Sequence, residues 1–277
     1  MKTLYLTDLD GTLLGSDGKV SKESARIINR LAKEGLLLSV ATARTFMTAG
    51  TLVESLDLRA PAVLNNGVFL YDLKQKKVLA YHAIEASSLV EALRAFERHN
   101  KAPQLFLYGD DGLLSIHFTE HRLQVQKDFY EARKDSFQGR FRRVEKLEVP
   151  RGQHATYLSL VDTREDLLPV TKELQRIDGI SFSFYADSYS PYWFLEVYSE
   201  KAGKGSAALE AKRLCGAERL VVFGDNFNDL PMFACADEKY AVQNAADELK
   251  AAADGVIGGC DEDGVARFLE QRFQAGK

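Results

Sequence analysis

Two aspartates, Asp8 and Asp10, close an apolar run in the stretch LYLTDLDGTLLGSDG, Leu4 to Gly18. Residues two apart in an extended chain share a face, so the carboxylates stand side by side and each raises the other's cost of ionisation. An Asp-Gly turn accounts for Asp10 and Gly11, but it leaves Asp8 unexplained. A cation between the carboxylates accounts for both. A second acidic set follows another apolar run: VVFGDNFNDLP carries Asp225, then Asn228 and Asp229. SVATAR brings Thr42 and Arg44 to a third run's end, and EKAGKGSAALE sets Lys204 among the small residues Gly203, Gly205 and Ser206. All-oxygen ligands with several waters favour Mg²⁺. Carboxylates, a hydroxyl, a lysine and such a cation suit phosphoryl transfer, where positioning and charge neutralisation carry most of the catalysis.

Elements that could gather these residues are readable in the same segments. Leu4–Leu9, Leu36–Ala41, Ala62–Asn65 and Leu220–Phe223 read as apolar strands, and near-continuous apolar runs are those of parallel strands covered on both faces. Helices are expected at Ser21–Glu34, with Ser21 as N-cap and Gly35 as stop, and at Phe46–Leu56, Gly205–Leu214, Pro231–Ala236 and Gly264–Phe273. Val68–Tyr71 with Lys77–Tyr81 reads as a hairpin, and Lys239–Val242 as a short strand. Strand-helix alternation implies a doubly wound, mostly parallel sheet. The strand ends on one edge of such a sheet converge on a crevice, which would collect Asp8, Asp10, Thr42 and Asp225. Residues 83–191 are denser in aromatic and charged residues and read as an α+β unit of their own. It has helices at Ser87–His99, Glu120–Arg133 and Arg164–Gln175, and strands at Leu105–Tyr108, Leu113–His117, Thr156–Val161 and Ile180–Tyr185. The expected division is 1–82 and 192–277 for the core, the latter starting with a strand at Phe194–Tyr198, and 83–191 for the insertion.

The chain has 277 residues and a net charge of −4, so no basic surface points to nucleic acid. Cys215, Cys235 and Cys260 are odd in number and widely spaced. They have neither metal-ligand nor disulfide spacing, and they read as buried small apolar residues in a reducing compartment. No apolar run is long enough for a bilayer span, and the N-terminal residues carry no signal-peptide pattern. A cytoplasmic protein is expected.

DLDGT at Asp8–Thr12, Thr42 in ATAR, Lys204 in GKG and GDNFND at Gly224–Asp229 occur in the order of the four motifs of the haloacid dehalogenase superfamily, which this sequence strongly resembles. NNG at Asn65–Gly67, AVQNA at Ala241–Ala245 and EDGVARFLE at Glu262–Glu270 bring the resemblance closest to the Cof-type branch, although Ala43 stands where ATGR is usual. The resemblance implies a Rossmann-like core with an inserted α/β cap that closes over the crevice and selects the substrate. It implies a Mg²⁺-dependent phosphatase of small phosphorylated metabolites, such as sugar phosphates or phosphorylated cofactors. Asp8 would be the nucleophile and form an aspartyl-phosphate. Asp10 would be general acid and base and would bind the metal through its carbonyl. Asp225 would ligate the metal by its side chain, and Asp229 would orient Lys204 or a metal water from behind. Thr42 and the Gly11 and Thr12 amides would hold phosphoryl oxygens, with Lys204 as a point charge. Arg44, Asn66 and Asn228 are further candidates for touching substrate.

Structural readings stand beside these. Arg44 could pair with a core carboxylate, Asn66 could be a turn residue before Gly67, and Asn244 reads as a loop hydrogen-bonder. His117 and His121 read as packed or solvated rings, Trp193 as a core residue and YGDDGLL as a hairpin turn; Tyr189 has no assigned role. Two other functions share the residue set. A phosphomutase or phosphotransferase would retain its sugar phosphate, and a non-enzymatic phospho-accepting signalling domain would have no use for Asp10.

Overall fold

A computed structural model describes residues 1–187 and 190–275; Tyr189 lies outside the described residues. The chain runs β1 (Thr3–Thr7), α1 (Lys22–Lys33), β2 (Leu37–Val40), α2 (Phe46–Leu52), β3 (Ala62–Leu64), β4 (Phe69–Asp72) and β5 (Lys77–Tyr81). It continues through α3 (Ala86–Arg98), β6 (Gln104–Gly109), β7 (Leu114–Phe118), α4 (Gln124–Glu131), β8 (Phe141–Arg143), β9 (Gln153–Asp162), α5 (Arg164–Leu174), β10 (Ile180–Ala186) and β11 (Trp193–Ser199). The last stretch is α6 (Lys204–Leu214), β12 (Arg219–Gly224), α7 (Leu230–Cys235), β13 (Glu238–Val242), α8 (Asp247–Ala252), β14 (Gly255–Ile257) and α9 (Gly264–Ala275). These elements form two compact units, Met1–Ala80 with Gly203–Lys277, and Tyr81–Ala202.

The first unit is built on a parallel sheet of order β14-β13-β12-β1-β2. Leu4, Leu6, Leu220, Val221, Val222 and Phe223 are buried in it, as expected of strands covered on both faces. Its register decides where the chemistry emerges. Thr7 lies opposite both Phe223 and Val40, so the chain leaves all three strands at one edge, as Asp8, as Gly224-Asp225 and as Ala41-Thr42. A parallel bridge from Ala41 to Val63 brings the end of β3 to that edge too. Helix α1 starts where Ser21 accepts a hydrogen bond from the Ser24 amide and stops at Gly35, where φ is +103°.

The second unit is a sheet of order β10-β11-β9-β6-β7-β8, antiparallel except for β7 with β8. Leu89, Ala92 and Phe96 of α3 and Leu167, Val170 and Leu174 of α5 pack with Leu105, Leu107, Leu158, Leu195 and Val197 in one apolar cluster. Two sequence expectations are corrected here. Phe194–Tyr198 belongs to this sheet and not to the core, because β11 pairs antiparallel with β9 and β10. Its alternation, with Leu195 and Val197 packed under the helices and Glu196 between them and Tyr198 after them in sequence, is that of an antiparallel strand. The division therefore falls at 202/203 rather than 191/192. The helix expected over Glu120–Arg133 is only Gln124–Glu131, since the Gln126 side chain takes the Arg122 and Leu123 amides and sets a later start.

Candidate active site

Asp8 is the first residue beyond β1, and its own amide still donates to the Phe223 carbonyl at 3.0 Å. Its carboxylate is buried, and Oδ1 accepts from Lys204 Nζ at 2.7 Å. The same ammonium donates to Asp229 Oδ1 at 2.6 Å. Lys204 is 1% exposed, so both ends of this bridge are held out of water. Asp229 Oδ2 accepts from the amides of Asp225 and Asn226 at 3.0 and 3.2 Å. One carboxylate thus anchors the lysine and shapes the loop that carries Asp225. Thr12 Oγ1 donates to Asp225 Oδ1 at 3.2 Å, which joins the first acidic loop to the second.

Two glycines make the approach possible. Gly11 sits at φ +73°, and a Cβ there would lie 2.4 Å from Asp225 Oδ2. Gly67, at φ +92°, packs on Gly203, the residue before Lys204; a Cβ on Gly67 would lie 2.2 Å from the Gly203 carbonyl oxygen. Both positions need the left-handed backbone and the missing side chain.

The remaining predicted residues surround this centre. Thr42 is buried; its amide donates to the Val63 carbonyl and its carbonyl accepts from the Asn66 amide. Asn66 has φ +51° and accepts from Asn228 Nδ2 at 3.3 Å. Arg44 reaches Asp10 with two hydrogen bonds, 2.7 Å from Nε and 2.6 Å from Nη2. The carboxylate oxygens that cluster are those of Asp8, Asp225 and Asp229, one from each within 4.8 Å of one another. The carboxylate of Asp10 is not among them. Sequence reasoning missed Asn65, which is buried with both side-chain amide atoms unpartnered among the described residues. The Asn-Asn-Gly triple was its only signal, as three residues that tolerate positive φ.

Charge is unbalanced in this pocket. Burial pushes the Asp8 carboxyl up to about 7; Lys204 pulls the other way, and Asp229 and Asp10 add to the rise. Burial, then Asp8 and Asp229, push Asp225 up to about 9. Burial alone would lower the Lys204 ammonium, but Asp229 and Asp8 outweigh it and hold its pKa above the ordinary value. Three buried carboxyls thus face one lysine, an all-oxygen donor set that could hold a divalent cation.

The second unit contributes packed rings at the positions singled out there. His117 is buried, and its Nε2 accepts from Arg142 Nε at 3.3 Å. His121 stacks on Phe118 at 3.9 Å, and Trp193 packs on Phe184 at 4.7 Å. YGDDGLL is a hairpin turn closed by the Gly109 amide on the Leu113 carbonyl.

A parallel-sheet core thus brings Asp8, Thr42 and Asp225 at its strand ends together with Lys204 at the start of α6. The sequence profile of haloacid dehalogenase-like hydrolases matches residues 5–269, and the chain belongs to that family. It is 28% identical to a 5-amino-6-(5-phospho-D-ribitylamino)uracil phosphatase of Bacillus subtilis, covering 95% of this chain and 96% of the relative. It is likewise 28% identical to the pyridoxal phosphate phosphatase of Escherichia coli, over 95% of both. A haloacid dehalogenase-like hydrolase from B. subtilis superposes with a TM-score of 0.79 at 21% identity, covering 98% of this chain and 99% of that one. Among the described residues no helix is long and apolar enough to cross a membrane.

Proposed function

We propose that this chain is a Mg²⁺-dependent phosphatase of small phosphorylated metabolites that works through an aspartyl-phosphate on Asp8. The observation that carries the reading is the buried Asp8–Lys204–Asp229 bridge with Asp225 beside it. Asp8 and Asp225 would hold the cation by their side chains and Asp10 by its backbone carbonyl. Asp229 stands behind them, because both its oxygens already serve Lys204 and the loop amides. When bound, Mg²⁺ supplies charge for the developing negative oxygens.

The chain's own residues supply the rest. An Asp8 oxygen attacks phosphorus, forming a P–O bond while the bond to the leaving oxygen breaks, and Asp10 gives that oxygen its proton. Water then attacks the acyl phosphate, Asp10 takes the water's proton, and inorganic phosphate leaves with Asp8 restored. Thr42, with the Gly11 and Thr12 amides, cradles the phosphoryl oxygens, and Lys204 offsets the charge of Asp8 and of the phosphoryl group. Arg44 keeps the Asp10 side chain in place, while Asn66 and Asn228 form a linked polar pair at the end of β3.

The substrate class follows the relatives' names, a ribityl-amine phosphate and a phosphorylated cofactor, and extends to sugar phosphates. Phosphate release from a panel of phosphorylated metabolites, ranked by kcat/KM, tests it. Turnover that requires Mg²⁺ and vanishes in Asp225→Ala is expected; metal-independent turnover, or none with any phosphomonoester, overturns the reading.

A further inference from the structure

The two edges of the second unit's sheet are built differently. β8 is three residues long and includes the exposed Arg142 and Arg143. Short strands and charged side chains are what keep a sheet edge from pairing with another chain. β10, the opposite edge, runs for seven residues as ISFSFYA, with no charged side chain and no proline.

The ladder with β11 decides which backbone groups of β10 face outward. The Glu200 amide donates to the Gly179 carbonyl at 3.1 Å, and the Asp187 amide donates to the Tyr192 carbonyl at 2.9 Å. Bonded positions alternate along an antiparallel pair, so the odd-numbered residues of β10 bond to β11. Ile180, Phe182 and Phe184 turn their N–H and C=O groups the other way, where those groups meet no hydrogen-bond partner among the described residues. The side chains of the same three residues share one face and are partly buried against the apolar cluster of α3 and α5. Ser181 and Ser183 lie on the other face.

We propose that β10 is the interface of a homodimer, pairing antiparallel with β10 of a second copy about a two-fold axis at Phe182. In that register Phe182 stands opposite its own counterpart, and Ile180 stands opposite position 184 of the second copy. Each such pair exchanges two hydrogen bonds, so every outward group of these three residues gains a partner. The side chains match as well. Aromatic and β-branched residues meet on one face, a favourable cross-strand pairing, and serine meets serine on the other. Charge points to the same edge. The chain carries −4, so two copies repel overall, yet pairing along a strand without charged side chains sets no like charges opposite one another. A chain has one β10, so the assembly closes at two copies. One strand edge is small against the about 1,200–2,000 Å² of a stable interface, so the dimer is expected to be reversible. The inference does not depend on the phosphatase reading.

Two measurements test it. Sedimentation of the full-length wild type over a concentration series should give a mass that rises from 30.9 kDa toward twice that value. A mass that stays at 30.9 kDa at every concentration overturns the inference. Disulfide trapping then reads the register, with Ser181→Cys and Ser183→Cys, which leave the apolar face intact. The proposed register sets position 181 of one copy directly opposite position 183 of the other, about 4.5 Å apart between Cα atoms and within disulfide reach. In either variant alone the new thiols are diagonal neighbours about 7–8 Å apart, beyond the usual span of about 4.4–6.8 Å. A mixture of the two variants should therefore cross-link under mild oxidation many-fold faster than either alone, with peptides joined through positions 181 and 183. The wild type, with only its native Cys215, Cys235 and Cys260, sets the background. Equal rates in the mixture and the single variants, or a dimer joined only through native cysteines, would place the contact elsewhere and overturn the inference.

Discussion

The side chains gathered beside the strand ends divide their work by what each already holds. Lys204 is shared between Asp8 and Asp229, so Asp8 carries a counter-charge on one oxygen, while both oxygens of Asp229 are engaged. Asp10 is gripped by the Arg44 fork, whose planar geometry matches a carboxylate. Of the two readings the sequence left open for Arg44, the pairing with a carboxylate is present, made with Asp10. In the proposed mechanism Asp10 delivers a proton, which Asn cannot do. Asp10→Asn should slow the first step about 10²–10⁴-fold for an alkyl phosphate such as a sugar phosphate, and much less for an activated aryl phosphate whose leaving group needs no proton. Rapid-quench measurement of alcohol or phenol release checks this; equal losses for both would remove Asp10 from the acid's role. Residues of this kind were legible in the sequence because the chemistry constrains residue type and order. Asn65 was not, since the Asn-Asn-Gly triple marks only a tolerance of positive φ and not a buried amide that has no partner among the described residues.

The elements deliver these side chains through register and close backbone contact. Parallel pairing of β1 with β2 and β12 aligns three strand ends, and this much followed from apolar runs that end in polar residues. The contact of Gly67 with Gly203 did not, because it joins residues far apart in the chain. Gly67→Ala should force the segment before Lys204 to move, costing about 1–3 kcal/mol of overpacking with strain at positive φ added. A lower urea midpoint and a reduced kcat are expected, and an unchanged kcat would show that Lys204 is placed independently of this contact. At the sheet's other margin, hydrogen bonds from Arg272 above all, together with Tyr240 and Arg219, hold the Glu238 carboxyl down at about 2, below its ordinary 4.5. A depressed folded-state pKa stabilises wherever the carboxylate is ionised, above the unfolded value, and is lost as pH falls through the folded one. Glu238→Gln should therefore unfold at lower urea than wild type near neutral pH, with the gap closing as pH falls from 4.5 through about 2. A gap independent of pH would refute the ionised pair. Short elements escaped the sequence: α8 has six residues and β14 three, too few for periodicity to register. β11 was seen as a strand but given to the wrong unit, because a strand's apolar pattern does not name its partners.

At the scale of the molecule, the chemistry lies in the unit formed from both ends of the chain, while Tyr81–Ala202 folds about an apolar cluster of its own. The order of motifs exposed that interruption; its exact end required the pairing of β11. The uneven charge at the strand ends also bears on the stability of the whole first unit. Burial raises the Asp8 and Asp225 carboxyls, and a cation held by them in the folded chain alone would stabilise it by about 2.7 kcal/mol at a hundred times Kd. Near neutral pH, Mg²⁺ should raise the Tm of the wild type, and Asp225→Asn should largely lose that shift. An equal shift in both proteins would place the cation elsewhere.

The claim on which the account turns is that Asp8 takes the phosphoryl group covalently. Wild-type protein mixed with a labelled phosphomonoester and Mg²⁺ should be acid-quenched within the first turnover, digested, and its peptides mapped by mass. The account predicts one added phosphoryl group on the peptide containing Asp8, labile to hydroxylamine as an acyl phosphate is, and absent from Asp8→Asn, which should also lose turnover by several orders of magnitude. Label on another residue, or Asp8→Asn turning over at a tenth of the wild-type rate, would contradict it.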